Sequence, residues 1–222
     1  MPRIARVCAV GYPHHITQRG NNKETVFFED EDKEFYLNTL SKYSQKWAFD
    51  IWAYCLMPNH VHILAVPRKK ESLARGIGSA NLVYTQYINR KYNRSGRLWQ
   101  NRFFFYYNTR KPYLWAVARH IEYNPVRAKL AAKAERYEWS SAKWHILGVE
   151  DKILSDKDWL EERDRIAYRR FINKEDKPME ASIRKATTTG RPLGAEGFIK
   201  RLEKLLERGI LPKKAGRPKK GK

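Results

Sequence analysis

Two apolar runs hinged at Pro58-Asn59 constrain this chain more than any other feature. Ile51-Trp52-Ala53-Tyr54-Cys55-Leu56-Met57 precedes the hinge and Ile63-Leu64-Ala65-Val66 follows it. Each run has the length of a buried strand, and Pro-Asn is turn chemistry, so the segment predicts a β-hairpin. His60-Val61-His62 opens its second arm. Strand side chains alternate faces, so His60 and His62 share one face while Val61 points to the other, into the core. Two imidazoles on one strand face make half of a metal site. Two half-buried residues at an exposed edge are the competing reading.

The rest of the chain supplies partners for that hairpin. Arg3 to Gln18 alternates loosely and reads as a first strand, closed by a turn at Arg19-Gly20-Asn21-Asn22. Asp30-Glu31-Asp32 puts acidic charge at the start of a helix carrying Phe35, Leu37, Leu40, Tyr43 and Trp47. Ser72 is the expected cap of a second helix, which runs to Lys91 and breaks at Asn93-Arg94-Ser95-Gly96. A short aromatic strand follows at Phe103 to Tyr107, then a third helix from Pro112 to Asn124. Strand, helix, two strands, helix, strand and a further helix is the order of a ferredoxin-like, split βαβ α+β fold. It predicts an antiparallel sheet with helices on one face, and an open face of the histidine strand turned to the last helix.

Lys plus Arg number 45 against 24 for Asp plus Glu, a net charge of +21 over 222 residues, with a pI near 10.0. An excess of that size points to a polyanionic partner. No apolar stretch spans a bilayer, and there is neither a signal-like N-terminus nor an isolated basic amphipathic helix, so nucleic acid is expected and membrane is not. Seven Trp and thirteen Tyr provide stacking surfaces for unpaired bases, although most must be core. Cys8 and Cys55 lie in separate apolar segments without a C-x-x-C, so two buried thiols in a reducing cytoplasm are expected.

Composition changes near residue 150. The expected organisation is a domain over 1–150, a helical DNA-binding extension over 151–210 and a basic tail over 211–222. Asp156 to Phe171 is charged and reads as helix, whereas Lys174 to Thr189 is polar and reads as loop. Gly190-Arg191-Pro192 and Gly216-Arg217-Pro218 bracket a helix around Phe198, Leu202, Leu205 and Leu206. The tail holds Lys213, Lys214, Arg217, Lys219, Lys220 and Lys222 without an acid, a composition that does not fold alone.

An ordered set of motifs then stands out: Gly11-Tyr12-Pro13-His14-His15-Ile16-Thr17-Gln18-Arg19-Gly20-Asn21, Tyr54-Cys55-Leu56-Met57-Pro58-Asn59-His60-Val61-His62, Leu98-Trp99-Gln100-Asn101-Arg102-Phe103, Asn124-Pro125-Val126-Arg127-Ala128 and Trp139-Ser140-Ser141-Ala142. From about residue 5 to 147 the chain resembles the HUH single-tyrosine transposases, in their REP-associated tyrosine transposase branch. Thr189-Gly190-Arg191-Pro192-Leu193-Gly194 is similar to that branch's C-terminal extension. The resemblance implies a metal-dependent endonuclease and strand transferase acting on single-stranded or palindromic hairpin DNA through a 5′-phosphotyrosine intermediate. It implies Mg²⁺ or Mn²⁺ held by His60, His62 and Asn124; the expected setting is the bacterial cytoplasm, in association with the nucleoid, and the active unit a monomer or homodimer.

One position departs from that pattern. The family's attacking tyrosine lies four residues before the Asn of Asn-Pro-Val-Arg, on the same helix face. Here that position is His120; the nearest tyrosine, Tyr123, is one residue from Asn124 and roughly 100° round the helix. Three readings follow. The nucleophile is lost and the protein binds DNA without cutting it; Tyr123 substitutes where the helix loosens before Pro125; or His120 acts, as ligand, base or nucleophile. Core packing is the plain alternative for Tyr123.

Arg19, Arg97, Arg102 and Arg127 are candidate phosphate contacts, with solvated surface charge as the alternative. Arg217, Lys219 and Lys220 resemble an AT-hook, and Arg191 a weaker copy of it. Adjacent on one strand, His14 and His15 point to opposite faces, one structural and one a DNA-contact candidate, neither assigned to metal. His145 reads as peripheral.

Overall fold

The computed structural model describes residues 8–100, 104–107, 111–154, 159–174, 176–189, 196–207 and 209. In chain order these form β1 (His14–Arg19), α1 (Asp30–Trp47), β2 (Phe49–Met57), β3 (His60–Pro67), α2 (Ser72–Lys91), β4 (Phe104–Tyr107), α3 (Lys111–Glu122) and α4 (Asn124–Arg127). They continue with α5 (Ala142–Leu147), α6 (Glu162–Ile172), α7 (Lys177–Thr189) and α8 (Glu196–Leu205). The four strands make one antiparallel sheet in the order β2-β3-β1-β4, the expected split βαβ arrangement.

The hairpin forms where the two apolar runs predict it, and its register fixes both faces. His60 lies opposite Arg19 on β1 and Met57 on β2; His62 lies opposite Thr17 and Cys55. One face thus carries His15, Thr17, His60, His62, Cys55 and Leu64. Ile16, Tyr54, Leu56, Val61 and Ile63 take the other, and with α1 and α2 they build the larger core. Helices are not confined to that face. Val117 and Ile121 of α3, with Ile183 and Ala186 of α7, pack on Ala53, Cys55, Met57 and Leu64 of the histidine face. β2 and β3 are buried on both sides, which is why they read as continuous apolar runs rather than alternating ones.

Helix α1 begins with a capping box between Glu29 and Asp32. The Asp32 carboxylate accepts from the Phe28 and Glu29 N–H groups and from Lys91 and Tyr92 of the α2 end, tying the two helices together. Gly76 lets α2 approach β2: a Cβ there would stand 2.3 Å from the Phe49 ring.

Further expectations are corrected. β1 starts at His14, because Gly11, at φ +78°, turns the chain and donates its N–H to Pro67 O; residues 3–7 lie outside the described ones. Ser72 does not cap α2: its hydroxyl accepts from the Lys69 N–H and donates to Ala48 O, fastening the helix start to the loop after α1. The stretch Lys174 to Thr189, read as loop, carries helix α7 from Lys177. Its polar composition conceals Met179, Ile183 and Ala186, spaced to cover one helix stripe, and Asp176 Oδ1 accepts the Met179 N–H at its start. The charged segment expected as helix from Asp156 forms α6 from Glu162, and α8 covers the helix expected around Phe198.

Helix α6 buries Tyr168 and Ile172 against Ala118 of α3, Ala142 and Ile146 of α5 and Trp159. Their polar centre is Glu122, fully buried, which accepts from Ser141 Oγ at 2.6 Å and Tyr168 OH at 2.7 Å and pairs with His145 Nδ1. His145 is therefore not peripheral: it is 1% exposed and locks the end of α3 to α5 and α6. Cys8 and Cys55 are free thiols. No helix among the described residues is long and apolar enough to cross a membrane.

Candidate nucleic-acid and metal site

The histidine face of the sheet opens beside α3 and α7 into a cleft of about 630 Å³. His60 and His62 come from β3, Arg19 from β1, His120 from α3, Asn124 and Arg127 from α4, Arg184 and Thr187 from α7. Three arginines and no carboxylate line it among the described residues, so its field favours anions.

Each histidine of the pair is oriented by a neighbour. His60 Nδ1 lies 2.6 Å from Asn59 Oδ1, and His62 Nδ1 lies 2.8 Å from His15 Nε2 and 3.3 Å from Thr17 Oγ1. The two rings meet edge-on, centroids 5.0 Å apart. Desolvation holds both below the ordinary histidine range, His60 at about 4, with Arg19 and His120 adding to the effect on His60 and His15, His60 and His120 on His62. His15 is lowered likewise, by burial and then by His120. Neutral imidazole is the metal-binding form, so the pair fits a cation.

His120 occupies the position the resemblance reserves for tyrosine. It is 5% exposed, and its Nδ1 lies 2.8 Å from Glu180 Oε2. The other Glu180 oxygen takes Arg127 Nη1 at 2.7 Å, and Arg127 Nη2 donates to His120 O. Burial lowers the His120 pKa and the Glu180 contact opposes that. Asn124 Nδ2 donates to His120 O at 2.8 Å, a carbonyl at the helix end before Pro125; its Oδ1 remains as the ligand-type atom. The His120 ring lies 5.6 Å from those of both His15 and His62, centroid to centroid. The ligand nitrogens of His15, His62 and His120 all fall within 4.8 Å of one another, close enough for one metal ion.

Of the expected site residues, His60, His62, His120, Asn124, Arg19 and Arg127 come together at this cleft. Tyr123 does not. It lines a second depression of about 490 Å³ between α3, α6 and α7, and packs on the cluster around Tyr168 and Trp159. Arg97 is exposed and does not line the cleft; Arg102, Arg191, Arg217, Lys219 and Lys220 lie outside the described residues. Glu180, Arg184 and Thr187 escaped sequence reasoning because α7 was read as loop, although the Met179, Ile183, Ala186 stripe would have shown it. His14 is structural, as one of the adjacent histidines was expected to be: Nδ1 donates to Tyr12 O at 2.6 Å and Nε2 accepts the Ala9 N–H.

A histidine pair on a central strand of a ferredoxin-like sheet, faced by His120 of α3 and Asn124 of α4, is the arrangement on which the resemblance to HUH-type proteins rests. The sequence profile of IS200-like transposases matches residues 9–124, and the chain belongs to that family. Among solved structures it is similar to the REP-associated tyrosine transposase bound to a REP hairpin, at 15% identity and a TM-score of 0.58, over 72% of this chain and 94% of that one. At that identity the likeness is one of fold. No curated protein matches the chain.

Proposed function

We propose that the protein recognises single-stranded or palindromic hairpin DNA at the histidine cleft, and does so without forming a tyrosyl link to it. The carrying observation is the exchange at the centre of the site: His120 stands in the cleft, fixed by Glu180, while Tyr123 does not line it and faces an adjoining depression beyond Arg127 and Arg184. A 5′-phosphotyrosine route needs a phenol beside the ion, and no tyrosine lines the cleft among the described residues. Arg19 and Arg184 would hold backbone phosphates, and His60, His62 and Asn124 a Mg²⁺ or Mn²⁺ ion that supplies charge neutralisation at a phosphate oxygen. The extension from residue 151 then belongs to the binding surface through α7. Anisotropy with a labelled hairpin, the matching duplex and an unstructured strand tests this: the hairpin should bind at least tenfold tighter than the duplex, and equal affinities would overturn it.

A second reading, metal-dependent nicking without a covalent link, is favoured by the His120–Glu180 contact alone. A carboxylate on Nδ1 leaves Nε2 to act as a base toward water. Free nicked strands without a protein adduct would single it out.

A further inference from the structure

We propose that His15, His62 and His120 form a nitrogen-only site for a divalent transition ion of the zinc class. It differs in ligand set from the oxygen-seeking ion ascribed to His60, His62 and Asn124, and sharing His62 makes occupation one ion at a time. The proposal goes beyond the DNA reading, and the two fail separately in the test below.

The three residues come from β1, β3 and α3, yet their ligand nitrogens lie within 4.8 Å of one another. His15 Nε2 and His62 Nδ1 already face each other at 2.8 Å. His120 spends Nδ1 on Glu180, so Nε2 is its ligating nitrogen. Zinc–nitrogen bonds of about 2.0–2.1 Å place tetrahedral donors roughly 3.4 Å apart, so ring movements of about an ångström bring the three onto one ion. Imidazoles suit Zn²⁺, Co²⁺, Ni²⁺ and Cu²⁺, whereas Mg²⁺ and Ca²⁺ select oxygen.

Outer contacts fit the same reading. A carboxylate on the remote nitrogen of a ligating histidine fixes its tautomer and raises its basicity, which is the relation of Glu180 to His120. Thr187 Oγ1, two turns beyond Glu180 on the same face of α7, lies 3.5 Å from His15 Nδ1. Helix α7 thus braces two of the three ligands. His62 and His120 line the cleft while His15 sits behind them, 1% exposed. The fourth tetrahedral position therefore faces the cleft, where water or a phosphate oxygen fits. In this arrangement residue 120 is a ligand, which accounts for a histidine where the attacking phenol would stand.

Titrating the metal-free full chain with Co²⁺ tests the site, read by visible absorption and by X-ray absorption at the metal edge. The proposal expects one ion per chain, the intense band of four-coordinate Co²⁺ and scattering from three imidazoles. His15→Asn should abolish the band and Glu180→Gln weaken affinity by about 10- to 100-fold, with folding checked by circular dichroism, while His60→Asn keeps the band. The untouched chain alone decides the matter if a variant fails to fold. No Co²⁺ binding, a pale six-coordinate spectrum, or loss of the band in His60→Asn but not in His15→Asn would overturn the proposal. Hairpin binding measured on the same metal-free and loaded samples tests the DNA reading separately.

Discussion

Glu180 Oε2 lies 2.8 Å from His120 Nδ1, joining residues 60 positions apart, and through it helix α7 holds the side chain that α3 sends into the histidine cleft. The same carboxylate holds Arg127, so one side chain sets two groups of the site. Removing it leaves a buried imidazole and a partly buried guanidinium without their acceptor. Glu180→Ala should cost roughly 1–3 kcal/mol of stability, read by chemical denaturation, and Glu180→Gln less, because an amide oxygen still accepts. Equal stability of Glu180→Ala and the parent chain would contradict the contact.

Anchoring of α7 depends on Ile183, fully buried between α3 and the histidine face of the sheet. Ile183→Ala should destabilise by about 2–4 kcal/mol and weaken hairpin binding, since Glu180, Arg184 and Thr187 ride on the same helix. If stability falls and hairpin affinity does not, α7 has no part in binding.

Acid should destabilise the fold. Desolvation depresses His14 to about 3 and His60 to about 4, and lowers His15 and His62 as well, against about 6.5 in the unfolded chain. Below pH 6.5 the unfolded state takes up protons that the folded state refuses, so stability is complete above that value and falls as pH drops toward 4. Each unit between the two states is worth about 1.4 kcal/mol per group. Thermal melts from pH 7.5 to 4.5 should show the loss, and a flat profile would contradict it.

Gly76 and Phe49 form a close contact on the opposite face of the sheet. A methyl group at 76 would meet the Phe49 ring at 2.3 Å, so Gly76→Ala should destabilise by about 1–3 kcal/mol. Phe49→Leu in the same chain should recover part of that loss, leaving hairpin affinity unchanged; two additive losses would show that the contact is not the cause.

The sheet and its histidine pair were legible because hairpin, turn and alternation are local signals, and the strand order left one topology. His15 was legible only as one of two adjacent histidines, since its closeness to His62 arises from the β1–β3 register rather than from sequence spacing. Glu180 was hidden for another reason: α7 is polar enough to read as loop, and its few apolar positions matter only against a face that α3 leaves partly open. His145 misled because its partner, Glu122, sits 23 positions away in α3. Buried polar pairs of that kind become visible only once helices are packed.

In the proposed function, histidine at position 120 removes tyrosine chemistry from the cleft. Incubating end-labelled hairpin DNA with the parent chain, Tyr123→Phe and His120→Tyr in Mn²⁺, then resolving the products on a denaturing gel, tests it most directly. Hairpin binding without a covalent protein–DNA band is expected in the parent chain and in Tyr123→Phe, with an adduct gained in His120→Tyr. An adduct in the parent chain that disappears in Tyr123→Phe would contradict it.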